Sequence, residues 1–519
     1  MAKLTKSTKT VIIAAAVLLV LGAVLMVLLL TKPEEPVESV PEDSHEEVST
    51  AITVTDKEPE NVLSMTVKNA TGEYTFERNE RVVSSEDSEG NVSSTTEYYF
   101  TSPQMLTLTP NSTTISAFVR SMAGLTTKQL AEENAQDLDK YGLENPVATV
   151  SLKFDDGTSA ELCFGIQNPA NTSQAYFRTA DSRDVHLVSY YTAGSAFYDI
   201  RDYVSLVMTE AYDSENRKEL DYMIVERKDL DEPVEARYMY DLEELAENED
   251  NIITTFNTHR IVSPIVTELD STKGQTFCYG LYGLSMSYCY ALEKTDEVLS
   301  STGLDDPFCV VTFKYGGKRR VLSLGDKVLE TTEAEGDTPA LSTVTGYYAM
   351  MDDNDGVYVI AKDSAPWYSF LTQNIIARRP LSPYIYTVDT LTITTADGEF
   401  VFDIDGTADS HTFSLDGAEM DDDKFRELYQ YVIAAVGEEL FFEEQTAEPI
   451  ASVRFRYTDE YAKVGGREED VIEFYKSGDR KSIVSVNGTV LFKVRELYTD
   501  RLRENVTALI DGGEIKIDW

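Results

Sequence analysis

The chain has 519 residues, 42% hydrophobic and 10% aromatic, with 91 acidic against 45 basic side chains and a net charge of −46. That length exceeds what one core supports and predicts two to four domains, while the aromatic content excludes a disordered chain. An acid excess of this size repels nucleic acid and anionic lipid headgroups, so neither is expected as a partner. It serves solubility first, with weak collective binding of divalent cations or of a basic partner as the sharper alternative.

Residues 1–10 carry Lys3, Lys6 and Lys9 and no acid, and Val11 to Leu30 form an unbroken uncharged run, nearly all aliphatic. At 1.5 Å per residue such a helix spans a hydrocarbon core of about 30 Å. The lysines place its N-terminus in the cytoplasm and the rest of the chain outside it. The run is longer than the apolar core of a signal peptide, and no cysteine near its end could carry a lipid. Residues 31–60 are rich in Pro, Glu, Ser and Thr with almost no aliphatics, which predicts an extended acidic stalk.

Three tandem modules are expected after the stalk, at 61–203, 204–380 and 381–519. In the first, Leu63 to Val67 and Glu73 to Phe76 alternate around Thr71-Gly72 as a hairpin. Thr126-x-x-Gln129 reads as a capping box opening a helix to about Tyr141. In the third, Leu391 to Thr394 and Phe400 to Phe402 flank Asp397-Gly398, a two-residue hairpin turn. There Phe425, Leu428, Tyr429, Val432, Ile433 and Val436 form one apolar helix face, with Asp421-Asp422-Asp423 as its cap.

One phrase recurs. Gly142-Leu143-Glu144-Asn145-Pro146 leads into the apolar strand Val147 to Leu152, and Gly303-Leu304-Asp305-Asp306-Pro307 leads into Phe308 to Phe313. A worn third copy has Gly437 closing a helix and Pro449 opening Ile450 to Phe455. Gly in the left-handed region, a hydrophobic residue packing back and a Pro that forbids continuation together make a helix stop. After each stop come an Asp156-Gly157 or Gly316-Gly317 hairpin and a strand ending Leu162-Cys163-Phe164-Gly165 or Leu322-Ser323-Leu324-Gly325. Ala175 to Arg178 and Val185 to Val188 follow, matched by Gly346 to Ala349 and Val357 to Ile360. The third module offers Val471 to Phe474, Ser482 to Val486 and Val490 to Phe492 around Asn487-Gly488, then a short helix through Leu502. Each module is expected to be a mostly antiparallel sheet with a packed helix, an α+β fold.

In this order, from Tyr141 to Val188 above all, the chain resembles the DUF4340 family of bacterial membrane-anchored proteins. The resemblance extends to Thr302 to Ile360 and faintly into the third module. It implies an N-terminal anchor and repeated extracytoplasmic domains. Some members are encoded beside gliding-type ABC transporters, which implies an accessory envelope role. The family has no established activity.

No catalytic, cofactor-binding or metal-ligating residue is assigned from the sequence. His45, His186, His259 and His411 form no zinc pattern, and neither G-x-S-x-G, S-x-x-K nor a phosphate loop occurs. Asp352-Asp353-Asn354-Asp355-Gly356 resembles a calcium loop, but in EF-hand register Met351 takes the first ligand position and Lys362 the twelfth, so a hairpin turn is expected. Cys163, Cys278, Cys289 and Cys309 read as buried small hydrophobes. Cys278 and Cys289 are placed in one helix, about 16 Å apart and beyond disulfide reach.

The expectation is therefore a membrane-anchored extracytoplasmic binding or scaffold protein of the cell envelope, not an enzyme and without cofactor, with an envelope or ABC-transporter protein as partner. The alternatives are an envelope hydrolase using carboxylates in a cleft between modules, and a solute-binding protein with Tyr279, Tyr282, Tyr288 and Tyr290 lining the cleft.

Overall fold

The computed structural model describes residues 52–86, 92–127, 129–213, 218–239, 258–332, 341–407 and 410–518. The expected membrane helix at 11–30, the segment before it and the stalk as far as residue 51 lie outside the described residues. Among the described residues no helix is long and apolar enough to cross a membrane.

The described chain is built on three large sheets in which every strand pair is antiparallel. The first runs Val92–Thr101, Gly72–Glu86, Val62–Asn69, Ala148–Phe154, Ser159–Gln167, Gln174–Thr179, Val185–Ser189, Gln129–Glu132. The second runs Thr267–Glu268, His259–Ser263, Val234–Tyr238, Leu220–Arg227, Cys309–Tyr315, Lys318–Thr332, Leu341–Met351, Val357–Ala361, Tyr288–Ala291. The third runs Ala418–Glu419, Ser410–Leu415, Gly398–Thr407, Val388–Thr395, Ala451–Tyr457, Glu469–Lys476, Lys481–Val486, Thr489–Arg495, Glu439–Leu440. In each, a meander made early in the chain pairs through its first strand with a meander made later, and a short strand from the connection closes the far edge. With its helices the molecule is α+β.

Alternation decides which face of each sheet is covered. Ala148, Val150, Leu152 and Phe154 point inward, as do Cys309, Val311, Phe313 and Tyr315, and Ala451, Val453, Phe455 and Tyr457. Side chains of period two can bury only one face, and each large apolar one contributes about 1.5–3 kcal/mol. The first sheet is covered by the helix Ser112–Ala123, whose Asn111 cap accepts the Thr114 amide at 3.2 Å and which buries Ile115, Phe118, Val119 and Met122. Over the third lie Asp422–Ile433, capped by Asp421 at 3.0 Å, and Glu496–Asp511, locked together by stacked Tyr431 and Tyr498 with ring centres 5.0 Å apart.

Several expectations need correction. Thr126 opens no helix: Thr126–Thr127 and Gln129–Glu132 are strands, and the covering helix lies earlier, at Ser112–Ala123. Thr126 is needed to pair with Thr53, and Thr55 Oγ1 donates to the Met122 carbonyl and accepts the Leu125 amide, both at 2.7 Å. The first described strand, Ile52–Thr53, thus lies inside the expected stalk. Cys289 is in the strand Tyr288–Ala291, while Cys278 is in the helix Lys273–Tyr279. The third sheet's first helix ends at Ile433, leaving Val436 beyond it and exposed. The final helix continues past Leu502 to Asp511.

The recurring glycine phrase behaves as a stop in two places. Gly142 and Gly303 have φ of 65° and 66°, the left-handed values a Cβ disfavours, after the 3-10 turn Asp139–Tyr141 and the helix Asp296–Thr302. Leu143 and Leu304 donate back to Leu138 and Leu299 at 3.0 and 2.9 Å and are buried. Gly437 does not act this way. The preceding helix is closed by Ala434, and Gly437 instead donates to the Arg378 carbonyl at 2.6 Å under the Phe492 ring.

Candidate binding groove at the junction of the second and third sheets

The three sheets meet in two different ways. One continuous apolar core joins the first and second, running from Val62 and Phe118 through Tyr203 to Leu220, Phe277 and Trp367. Thr107 and Asp355 clasp that junction, the hydroxyl donating to the carboxylate at 2.9 Å and accepting the Asp355 amide at 3.0 Å. The third sheet has a separate core, which Met239 joins from the second sheet's side of the chain.

Charge collects where the short edge strands His259–Ser263 and Thr267–Glu268 approach the third sheet. Asp470 is fully buried, forms an ion pair with Arg467 Nε at 2.7 Å, and accepts the Tyr457 hydroxyl at 2.5 Å and Asn487 Nδ2 at 2.7 Å. Burial works against the Arg467 charge, but Asp470, Tyr461, Tyr457 and Glu268 outweigh it and hold the guanidinium above its ordinary pKa. Arg260 is pushed the other way, by burial and by the like charge of Arg467. Opposite charges so deep must be paired, and Asp470 is met by the Arg467 charge and by hydrogen bonds from Tyr457 and Asn487.

Beside this cluster opens a groove of 450 Å³ lined by Glu268, Asp270, Ser271, Ala377, Arg378, Arg379, Ser382 and Val436. Its walls are pinned by backbone: Ala377 donates to Glu268, Asp270 to Ile375, and Gly437 to Arg378. Asp270 Oδ1 accepts the Thr272 and Lys273 amides at 3.0 and 2.8 Å, and Glu268 acts on Arg467 and Arg260. Arg378 and Arg379 are exposed, and among the described residues neither finds a carboxylate within ion-pair distance.

The residues weighed from sequence fall elsewhere. Tyr279 and Tyr282 pack at 5.2 Å in the second sheet's core, and the Tyr282 hydroxyl donates to Glu219 at 2.9 Å. Tyr290 packs on Tyr348 at 5.0 Å and Tyr288 is exposed. Asp352 to Gly356 turn between paired strands, as expected. The loop is already neutralised from within: Lys318 and Arg320 pair with Asp353 at 2.9 and 3.3 Å, and Lys294 Nζ donates to the Met351 carbonyl at 2.6 Å and to that of Asn354. Among the described residues no group of three or more His, Cys, Asp or Glu is placed to hold a metal. The four cysteines are free and buried. His259 is buried in its strand, with Nε2 on the Leu220 carbonyl at 2.7 Å.

Residues 101–229 match the model of a family described as a domain of unknown function, DUF4340. The chain carries a DUF4340 domain. No curated protein and no solved structure matches the chain. The DUF4340 segment starts at the end of the strand Val92–Thr101 and closes two residues after the strand Leu220–Arg227. It holds the Gly142 stop, the Gly165 strand and the helix Ser112–Ala123, but not the groove. Arg378-Arg379 was visible in the sequence as a basic doublet before Pro380 in an acidic chain. Nothing local marked it, because the groove needs two sheets to exist.

Proposed function

We propose that the chain is a single-pass membrane protein of the cell envelope whose extracytoplasmic part, three tandem copies of one module at 61–203, 204–380 and 381–519, is a binding scaffold for another envelope protein, an ABC-type transporter being the partner in view. The observation that carries this reading is the same order of eight strands in three successive sheets, the second and third each adding one short edge strand. Duplication of a whole sheet multiplies surface rather than chemistry. Equivalent positions also do equivalent work: Asn69 Nδ2, ending the strand Val62–Asn69, donates to the Ala196 and Tyr198 carbonyls at 3.0 and 2.8 Å. Arg227, ending Leu220–Arg227, donates to the Trp367 and Phe370 carbonyls at 3.1 and 2.9 Å. The apolar run from Val11 to Leu30 behind Lys3, Lys6 and Lys9 supports the anchor.

The test is mild crosslinking in intact cells followed by affinity capture of the tagged full-length chain from detergent extracts. Reproducible recovery of a defined membrane protein, lost when the third sheet, with its separate core, is deleted, supports the scaffold. Recovery of the chain alone, migrating as a monomer, refutes it.

A further inference from the structure

We propose that the groove between the second and third sheets is a binding site for an oxyanion, a carboxylate or phosphate group, received by Arg378 and Arg379. Of the four charged side chains lining the groove, Asp270 accepts the amides of Thr272 and Lys273, and Glu268 lies in the field of Arg467 and Arg260. The two bases are not committed. Arg378 and Arg379 line the groove, and among the described residues no carboxylate stands within ion-pair distance of either.

A guanidinium presents paired N–H donors that match the two oxygens of a carboxylate or phosphate, and adjacent arginines double that fork. The main chain that carries them is fixed on both sides, by Ala377 on the Glu268 carbonyl at 2.8 Å and by Gly437 on the Arg378 carbonyl at 2.6 Å. Little backbone order therefore has to be gained on binding. Ser271 and Ser382 add hydroxyl donors to the lining, and 450 Å³ falls within the size of small-ligand sites. The surrounding acid excess disfavours a bulky polyanion and leaves the groove to a compact group. This inference does not depend on the membrane or scaffold reading.

Calorimetric titration of the detergent-solubilised full-length protein with citrate and, separately, with inorganic phosphate tests it. A single saturable site for either anion is expected; citrate alone marks a carboxylate ligand, phosphate alone a phosphate ligand. R378Q/R379Q should weaken that binding by roughly tenfold or more with an unchanged melting profile. K327Q/K362Q, which removes two exposed lysines elsewhere, should leave it within about twofold of the parent. Absence of saturable binding by both anions overturns the proposal. So does R378Q/R379Q binding as the parent does, or K327Q/K362Q losing affinity equally.

Discussion

The main-chain oxygen of Thr302 stands against Gly325 in the space where a Cβ would begin, and the oxygen of Tyr141 stands in the same way against Gly165. In each case the oxygen belongs to the residue just before a left-handed glycine, Gly303 or Gly142. Pairing with the next strand slips just past Gly325 and just past Gly165, between Leu324 and Lys327 and between Phe164 and Gln167. The stop and the strand glycine are two halves of one contact. In the third sheet both glycines are missing, Tyr475 occupies the strand position, and pairing runs from Phe474 through Lys476 without a slip. Tyr475 packs there with Ile483, Val490 and Phe441.

Gly325→Ala and Gly165→Ala should therefore each destabilise the chain by about 2–3 kcal/mol, because the obstructing atom is backbone and cannot rotate away. Gly303→Ala, strained at positive φ, should cost about 1–2 kcal/mol. Denaturant midpoints check both. Neutral substitutions at Gly325 and Gly165 would mean the close approach is not maintained.

Asp470→Asn should cost about 3 kcal/mol or more, since it strands Arg467 beside Arg260 inside the second–third junction. The loss should appear in the melting of the third sheet, read by hydrogen exchange over the strand Glu469–Lys476. Unchanged protection there would show that the buried pair does not hold the junction.

Burial lowers the His259 pKa to about 4, against the opposing pull of the Leu220 carbonyl and Asp221. Between that value and the ordinary 6.5 the unfolded chain holds the extra proton. The stability contributed by His259 is thus complete above pH 6.5 and is lost as pH falls toward 4, by about 3 kcal/mol in all. The difference in unfolding free energy between parent and His259→Gln, followed across that range, should narrow by this amount. A difference constant with pH would refute the assignment.

Burial also pushes the Cys289 and Cys309 thiols up to about 12 and raises those of Cys163 and Cys278. A thiolate is the reactive form, so all four should resist a disulfide reagent at pH 8 in the native protein and react together on unfolding. Rapid labelling of any one under native conditions would contradict its burial.

How far the sequence could be read depended on whether a signal was local. Hairpins announced by Asp397-Gly398, Gly316-Gly317 and Asn487-Gly488 fall between the strands expected, because turn chemistry is set by the turn residues themselves. The Ser112–Ala123 helix was missed: its Asn111 cap lacks a Glu or Gln three residues on, whereas Thr126 and Gln129 carried that pattern and are held as strands by Thr53 and by Val185–Ser189. Gly437 looked like a third helix stop, and tertiary contact with Arg378 and Phe492 explains it instead. The groove, assembled from residues as far apart as Glu268 and Val436, had no sequence signature at all.

Anchoring, with the sheets outside the cytoplasm, is tested by fusing alkaline phosphatase, which folds only in an oxidising extracytoplasmic compartment, to the C-terminus of the full-length chain and washing the membranes with alkaline carbonate. An active phosphatase that stays in the membrane pellet is expected, with release into the supernatant when residues 1–30 are replaced by a cleavable signal. An inactive fusion, or full-length chain in the supernatant after the wash, would contradict it.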